Sequence, residues 1–165
     1  MFLEKVVVEI NGYFVGFIFK DDVLVRNTIP LSRDEINKFF SWEKISNKKH
    51  HIKMAKCILR LYFGKMLDSE VRELIDYSLD VTPFTKKVLD VVKNIPYGSV
   101  KTYGEIAKEL KTSPRAVGRS MNKNPLPLVI PCHRVVGKDN IGGYSYGITH
   151  KINILKNEGV ITNLK

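Results

Sequence analysis

Apolar residues dominate two short runs near the start of the chain, Val6-Val7-Val8-Glu9-Ile10 and Tyr13 to Phe19, both rich in β-branched and aromatic side chains. Between them stands Asn11-Gly12, whose residues tolerate positive φ. That order predicts two antiparallel strands joined by a tight turn. Asp21-Asp22 marks another turn before a third strand, Val23-Leu24-Val25. The period then changes. Ser32-Arg33-Asp34-Glu35 fits a capping box that opens a short helix with Ile36, Phe39 and Phe40 on one face. A second helix is expected from about His51 to Phe63, with Ile52, Ala55, Ile58, Leu59 and Tyr62 at helical spacing and Gly64 as the stop. Glu70 to Asp80 fits either period: Ile75, Tyr77 and Leu79 alternate, whereas Val71, Leu74 and Ile75 suit a helix.

From Thr82-Pro83 onward the pattern is mostly helical. Thr82 can cap a helix with Pro83 in its first position, running to about Asn94 with Val88, Leu89, Val91 and Val92 on its buried face. Ile95-Pro96-Tyr97-Gly98 is a stop and turn. Thr102 and Glu105 form a second capping box ahead of the stripe Ile106, Ala107, Leu110. Ser113-Pro114 then starts another helix, Arg115 to about Lys123. Two short helices around a brief turn suit a helix-turn-helix, although the same spacing occurs in plain helical hairpins. In the second of these helices Ala116, Gly118 and Ser120 are small, and Arg115 and Arg119 flank them at (i, i+4). Gly118 in mid-helix costs about 1 kcal/mol relative to alanine, so either packing or close approach of a partner must require it.

These elements predict an α+β chain. Residues 1–80 would form a small N-terminal domain, an antiparallel sheet with helices. Residues 81–165 would form a mostly helical, winged-helix-like helix-turn-helix domain. Charge divides at nearly the same point. Residues 1–79 hold 13 Lys+Arg against 11 Asp+Glu, and residues 80–165 hold 14 against 6, so +8 of the net +10 lies in the second half. Such a field favours a polyanion as partner, with a solvated basic face as the plain alternative. No apolar run approaches the roughly 18 residues a membrane span needs, and Met1-Phe2-Leu3-Glu4-Lys5 lacks the order of a signal peptide. A cytoplasmic protein without a membrane partner is expected. Its two cysteines, Cys57 and Cys132, are therefore not expected to pair.

The most informative stretch runs from Pro125 to Val136. Pro125, Pro127 and Pro131 stiffen the approach to Cys132, and the apolar run before it places the thiol at or under the surface. Burial raises a thiol's pKa, while the neighbouring His133 and Arg134 offer a base and a positive charge that could restore the reactive thiolate. A structural cysteine fits the dipeptide equally well. Cys132, His133, His50, His51, Cys57 and His150 show no paired zinc-site spacing, so no metal is expected.

Ile130-Pro131-Cys132-His133-Arg134-Val135-Val136 resembles the active-site signature of the O6-alkylguanine-DNA alkyltransferases, the methylated-DNA–protein-cysteine methyltransferases. Other elements resemble the family in the family's order: Thr82-Pro83-Phe84, Ile95-Pro96-Tyr97-Gly98, Thr102-Tyr103-Gly104-Glu105-Ile106-Ala107, Arg115-Ala116-Val117-Gly118, Asn124-Pro125, Gly143-Tyr144-Ser145 and Asn157-Glu158-Gly159. They span residues 82–159. Residues 1–80 carry no comparable signature, although strands followed by helices agree with the family's variable N-terminal domain.

The resemblance implies direct, single-turnover repair without a cofactor. The protein would act as a monomer on double-stranded DNA containing O6-alkylguanine, bound through the minor groove. Cys132 would be the nucleophile and alkyl acceptor, with His133 taking its proton through a water and Glu158 orienting that relay. Arg115 would fill the space left by the extruded nucleotide. Tyr103 would help turn the phosphate and donate to the guanine ring. Asn124 would brace the turn between the recognition helix and the active-site strand. Val135 and Ser145 would offer backbone groups to the flipped base, Tyr144 would line the pocket, and Ala116, Gly118 and Arg119 would lie against DNA. Tyr146 stands where the family commonly has glycine, which would narrow the pocket mouth. The zinc ligands of some relatives are absent, and Cys57 matches no family role. Two rival readings are a non-catalytic helix-turn-helix protein that binds lesions, against which Cys132 itself argues, and a Cys-His hydrolase, which would leave Tyr103 and Arg115 unexplained.

Overall fold

In the computed structural model, which describes residues 2–41 and 44–160, the alternating runs form an antiparallel sheet. Its strands are β1 (Leu3–Ile10), β2 (Tyr13–Lys20) and β3 (Val23–Asn27), in the order β1-β2-β3. Both hairpins close on two residues with positive φ, Asn11 and Gly12 at 50° and 82° and Asp21 and Asp22 at 49° and 66°. That is the backbone a two-residue turn needs to match the strand twist. The β2–β3 register shifts between Ile18 and Phe19, which face Arg26 and Leu24, so Val25 is the extra residue of a bulge.

Helix α1 (Arg33–Phe39) carries the full capping box: Glu35 N–H donates to Ser32 Oγ at 3.2 Å, and Ser32 N–H donates to Glu35 Oε1 at 3.1 Å. Ile36 and Phe40 are buried, but Phe39 is exposed, because the chain leaves the helix at Phe40 in an extended conformation. Gly16 on β2 makes room for that turn-off, since a Cβ there would lie 2.7 Å from Phe40 Cγ. Helix α2 (Lys49–Tyr62) begins two residues before the expected start. Its buried stripe is His51, Ala55, Ile58 and Tyr62, whereas Ile52 and Leu59 are only partly covered. A histidine therefore occupies the first core position of this helix.

The ambiguous stretch after Gly64 resolves into both of its readings in succession. Helix α3 spans Asp68–Leu74, and the chain then runs extended beside β3. There Leu24 N–H donates to Asp76 C=O at 2.9 Å and Ser78 N–H donates to Leu24 C=O at 3.0 Å.

The chain forms two compact units, Met1–Asp80 with Pro125–Val129, and Val81–Asn124 with Ile130–Lys165. The short segment in the first unit is held by buried Asn27 and by Arg72. Asn27 N–H donates to Pro125 C=O at 3.0 Å, Asn27 Nδ2 donates to Pro127 C=O at 3.0 Å, and Arg72 donates to Val129 C=O at 2.7 Å. Within it Leu128 is buried at φ 72°, an uncommon conformation for a side chain of its size.

The second unit is built on helices. Thr82 Oγ1 caps α4 (Pro83–Val92) by accepting from Thr85 N–H at 3.2 Å, and Val88, Leu89 and Val92 face inward while Val91 is only partly buried. Two two-residue strands, β4 (Lys101–Thr102) and β5 (Val135–Val136), pair in parallel. Helix α5 (Tyr103–Leu110) is capped by Thr102, whose Oγ1 accepts from Glu105 N–H at 3.0 Å. Lys111, in the left-handed conformation, ends it. Helix α6 (Pro114–Asn122) packs on α5 and α4, completing the expected helix-turn-helix. The last helix, α7 (Ile148–Asn157), has no side-chain cap and no counterpart among the expected elements. Residues 161–165 lie outside the described residues.

Candidate active site

Cys132 does not lie on a strand. It opens a single 3₁₀ turn, Cys132–Arg134, that precedes β5. Pro131 enters this turn at φ −79° and ψ 63°, Cys132 N–H donates back to Ile130 C=O at 2.8 Å, and Arg134 N–H donates to Pro131 C=O at 3.0 Å. A tight turn after proline aims the side chain without leaving it mobile. Asn124, just past α6, braces the same turn by donating from Nδ2 to Ile130 C=O at 3.0 Å. Burial pushes the Cys132 thiol up, and a hydrogen bond from Asn124 and the charge of Lys151 pull it back.

His133 and Arg134, adjacent in sequence, converge on one carboxylate at the end of α7. His133 Nε2 lies 2.9 Å from Glu158 Oε2. Arg134 clamps the same group, Nε to Oε1 at 2.8 Å and NH2 to Oε2 at 2.9 Å, and reaches Ile95 C=O at 3.0 Å. All three residues are buried. Burial raises the Glu158 carboxyl, but the hydrogen bonds and charges of His133 and Arg134 outweigh it and hold the group at about 2. An ionised carboxylate only accepts, so the histidine must donate from Nε2, and a neutral ring then carries its lone pair on Nδ1. Arg134 is thus not the charge that restores the Cys132 thiolate. Its guanidinium is spent on Glu158 and lies 5.5 Å over the Tyr97 ring.

The cation that does face the thiol is Lys151, a residue the sequence reading did not single out. It sits in α7, fully buried, with Nζ donating to Val135 C=O at 2.6 Å and Gly143 C=O at 2.9 Å. Burial lowers it to about 8, and the nearby Cys132 sulfur acts in the opposite sense. Its ammonium also lies 5.8 Å from the Tyr103 ring centroid. Lys151 thus gathers the β5 strand, the loop at Gly143 and Tyr103 around the cysteine. Tyr103 begins α5, and its hydroxyl is raised by burial. Gly142, at φ 75°, accommodates this ring, since a Cβ there would lie 2.7 Å from Tyr103 Oη. Tyr144 and Tyr146 stand on the same loop with ring centroids 5.9 Å apart, and Ser145 between them is exposed.

The expected binding face of α6 is partly redrawn. Arg115 and Arg119 are exposed, and Ala116 and Gly118 are half-buried. Ser120 is not open beside them: it is buried, with its Oγ 3.4 Å from Thr85 Oγ1 on α4. A Cβ at Gly118 would meet nothing closer than 3.9 Å, an ordinary contact with Tyr103. Packing inside the protein therefore does not require that glycine. Among the described residues, the metal-ligating side chains that gather in a group of three are Glu4, His50 and His51, in the first unit. Cys57 is buried in α2.

Two family models match this chain: the methylated DNA-protein cysteine methyltransferase N-terminal domain over residues 7–77, and the 6-O-methylguanine DNA methyltransferase DNA-binding domain over residues 83–160. A methylated-DNA–protein-cysteine methyltransferase of Methanocaldococcus jannaschii is 57% identical over 153 residues, 92% of either chain. The chain belongs to the methylated-DNA–protein-cysteine methyltransferase family. Solved structures agree with that membership. The O6-methylguanine DNA methyltransferase of Methanococcus jannaschii is 55% identical, with a TM-score of 0.76 and 96% of each chain covered. The O6-methylguanine-DNA methyltransferase of Pyrococcus kodakaraensis gives a TM-score of 0.77 at 33% identity, covering 95% of this chain and 100% of that one. The methyltransferase N-terminal domain model covers residues 7–77, where the sequence offered no signature.

Proposed function

We propose that this methyltransferase repairs O6-alkylguanine in duplex DNA by moving the alkyl group onto Cys132. The observation that carries the proposal is a buried thiol held on a rigid turn beside His133, whose far nitrogen is anchored to Glu158 at 2.9 Å. The Cys132 proton passes through a water to His133 Nδ1, and Glu158 stabilises the resulting imidazolium. Lys151 supplies the positive charge that favours the thiolate in a dry site. The sulfur lone pair attacks the alkyl carbon, the carbon–O6 bond breaks, and its electron pair stays with guanine, which takes a proton from Tyr103. The product thioether has no ready leaving group, so each molecule acts once and needs no cofactor.

The alkylated base must leave the helix to reach a buried sulfur, an extrusion of a few kcal/mol. Arg115 takes the vacated space, Arg119 meets phosphate, and the small Ala116–Gly118 face lets α6 approach the minor groove closely. Val135 and Ser145 offer backbone groups to the flipped base, and Tyr144 lines its pocket. The protein works as a cytoplasmic monomer. Intact-mass measurement after incubation with alkylated duplex tests the reading. A stable gain of one alkyl group on the Cys132 peptide is expected. An unchanged mass with DNA binding would instead mark a lesion-binding protein, and repeated turnover a hydrolase.

A further inference from the structure

The first unit holds a cluster that alkyl transfer does not use. Glu4 on β1 and His50 and His51 at the start of α2 bring one ligand atom each to within 4.8 Å of one another. His51 is fully buried and stacked on Phe19, ring centroids 4.8 Å apart. The His50 ring lies tilted against it at 4.1 Å. Buried polar atoms are almost always hydrogen-bonded, yet the two nitrogens of His51 differ. Nδ1 lies 2.6 Å from Ser46 Oγ, which also accepts from Lys48 N–H at 3.2 Å. Nε2 is buried without a hydrogen-bond partner. Glu4 Oε1 is 3.3 Å from it.

We infer that Glu4, His50 and His51 form a binding site for Zn²⁺, with water in the fourth position. The donor set is right, since two imidazoles and a carboxylate suit zinc at an open tetrahedral site. The spacing fits as well. Zinc bonds of about 2.0–2.2 Å at a tetrahedral angle place neighbouring ligand atoms about 3.4 Å apart, against the 3.3 Å seen between His51 Nε2 and Glu4 Oε1. Ser46 plays the part an outer partner plays in metal sites. With Nδ1–H donating to Ser46 Oγ, the ring keeps its Nε2 lone pair for the ion. One feature opposes the ion: the Lys48 ammonium lies 2.8 Å from Glu4 Oε2. It occupies the other carboxylate oxygen, and its side chain is half exposed and able to turn outward. A bound ion would tie the start of β1 to the first turn of α2.

The experiment uses the full chain carrying Cys132→Ala, which removes the softest rival ligand, titrated with Zn²⁺ against a chromogenic chelator. One equivalent is expected to bind and to raise the melting temperature, by the linkage between ligand and folded state. His50 is exposed, so His50→Ala leaves the core intact. That change and Glu4→Gln should each weaken Zn²⁺ by at least about tenfold, and Ser46→Ala by about tenfold. Lys48→Met should tighten it. Co²⁺ in place of Zn²⁺ should give tetrahedral visible bands that vanish in His50→Ala. Absence of saturable binding at micromolar Zn²⁺, or equal affinity in the parent, His50→Ala and Glu4→Gln, overturns the site. In that case His51 is a core histidine paired with Glu4.

Discussion

The two cysteines of this chain sit in regions that differ less in burial than in what surrounds the sulfur. Cys57 lies on the inner side of α2 and Cys132 on the 3₁₀ turn, at 8% and 7% exposure, and burial raises both thiols. Around Cys57 the opposing influences are Lys53 and Arg60, of which Lys53 and Arg60 are both exposed neighbours on the same helix. Around Cys132 they are a hydrogen bond from Asn124 and the charge of fully buried Lys151. A charge in water is screened, whereas one in a dry pocket keeps most of its field. Burial alone makes a thiol inert. A buried thiol with a fixed donor and a desolvated cation is a nucleophile held in reserve.

The sharpest break of that comparison is substitution of each sulfur. Cys132→Ala should abolish alkyl uptake from modified duplex while leaving DNA binding nearly unchanged, because the phosphate contacts proposed for this protein lie on α6. Cys57→Ala should transfer at the parent rate and lose about 1 kcal/mol of stability in a urea melt. An alkyl adduct found on Cys57 in the Cys132→Ala protein would equate the two regions.

Next in size is Lys151. Lys151→Met should slow single-turnover transfer at least about tenfold, since each tenfold is only 1.4 kcal/mol of barrier, and Lys151→Arg should restore part of the rate. With Lys151 at about 8, its ammonium is present below that pH and lost above it. The parent rate should therefore climb with thiolate and break near pH 8, while the methionine variant climbs without a break. Identical profiles would remove Lys151 from the chemistry.

Glu158→Gln should slow transfer without loosening DNA binding, and should also change acid stability. The carboxyl stands at about 2 in the folded protein against an ordinary 4.5. Its stabilisation is complete above 4.5 and disappears as pH falls through about 2, because the unfolded chain binds the proton first. The stability gap between parent and Glu158→Gln should accordingly be widest above pH 4.5 and shrink toward pH 2. A gap independent of pH would mean the network is held by packing rather than charge.

The smallest effects are expected on α6. Arg119→Ala should weaken all DNA binding and lower the salt slope by about one. Arg115→Ala should slow repair of duplex more than of the free alkylated base, where nothing needs extrusion. Equal impairment on both substrates would discard the wedge.

Much of this was readable along the chain because it rests on local chemistry. Turn residues tolerant of positive φ set both hairpins, Ser32, Thr82, Thr102 and Ser113 mark helix starts, and proline stiffens the approach to Cys132. The family pattern around Cys132, with Glu158 far downstream, pointed to a pair that the fold brings to 2.9 Å. Helix α7 was missed for an equally local reason, since it begins after Gly147 with no side-chain cap.

What local pattern cannot carry is the environment of a polar side chain. Lys151 between Ile148 and Ile152 looks like any solvated lysine, and His51 beside Lys48 and Lys49 looks like part of a basic, exposed helix start. Arg134 beside Cys132 looks like its activating charge, yet it turns to Glu158. A sequence determines which groups are present and how each helix or strand begins. Which charges lose their water, and which partners they then face, depends on residues brought together from distant elements. Desolvation sets the strength of those charges, and only the packed tertiary structure decides it.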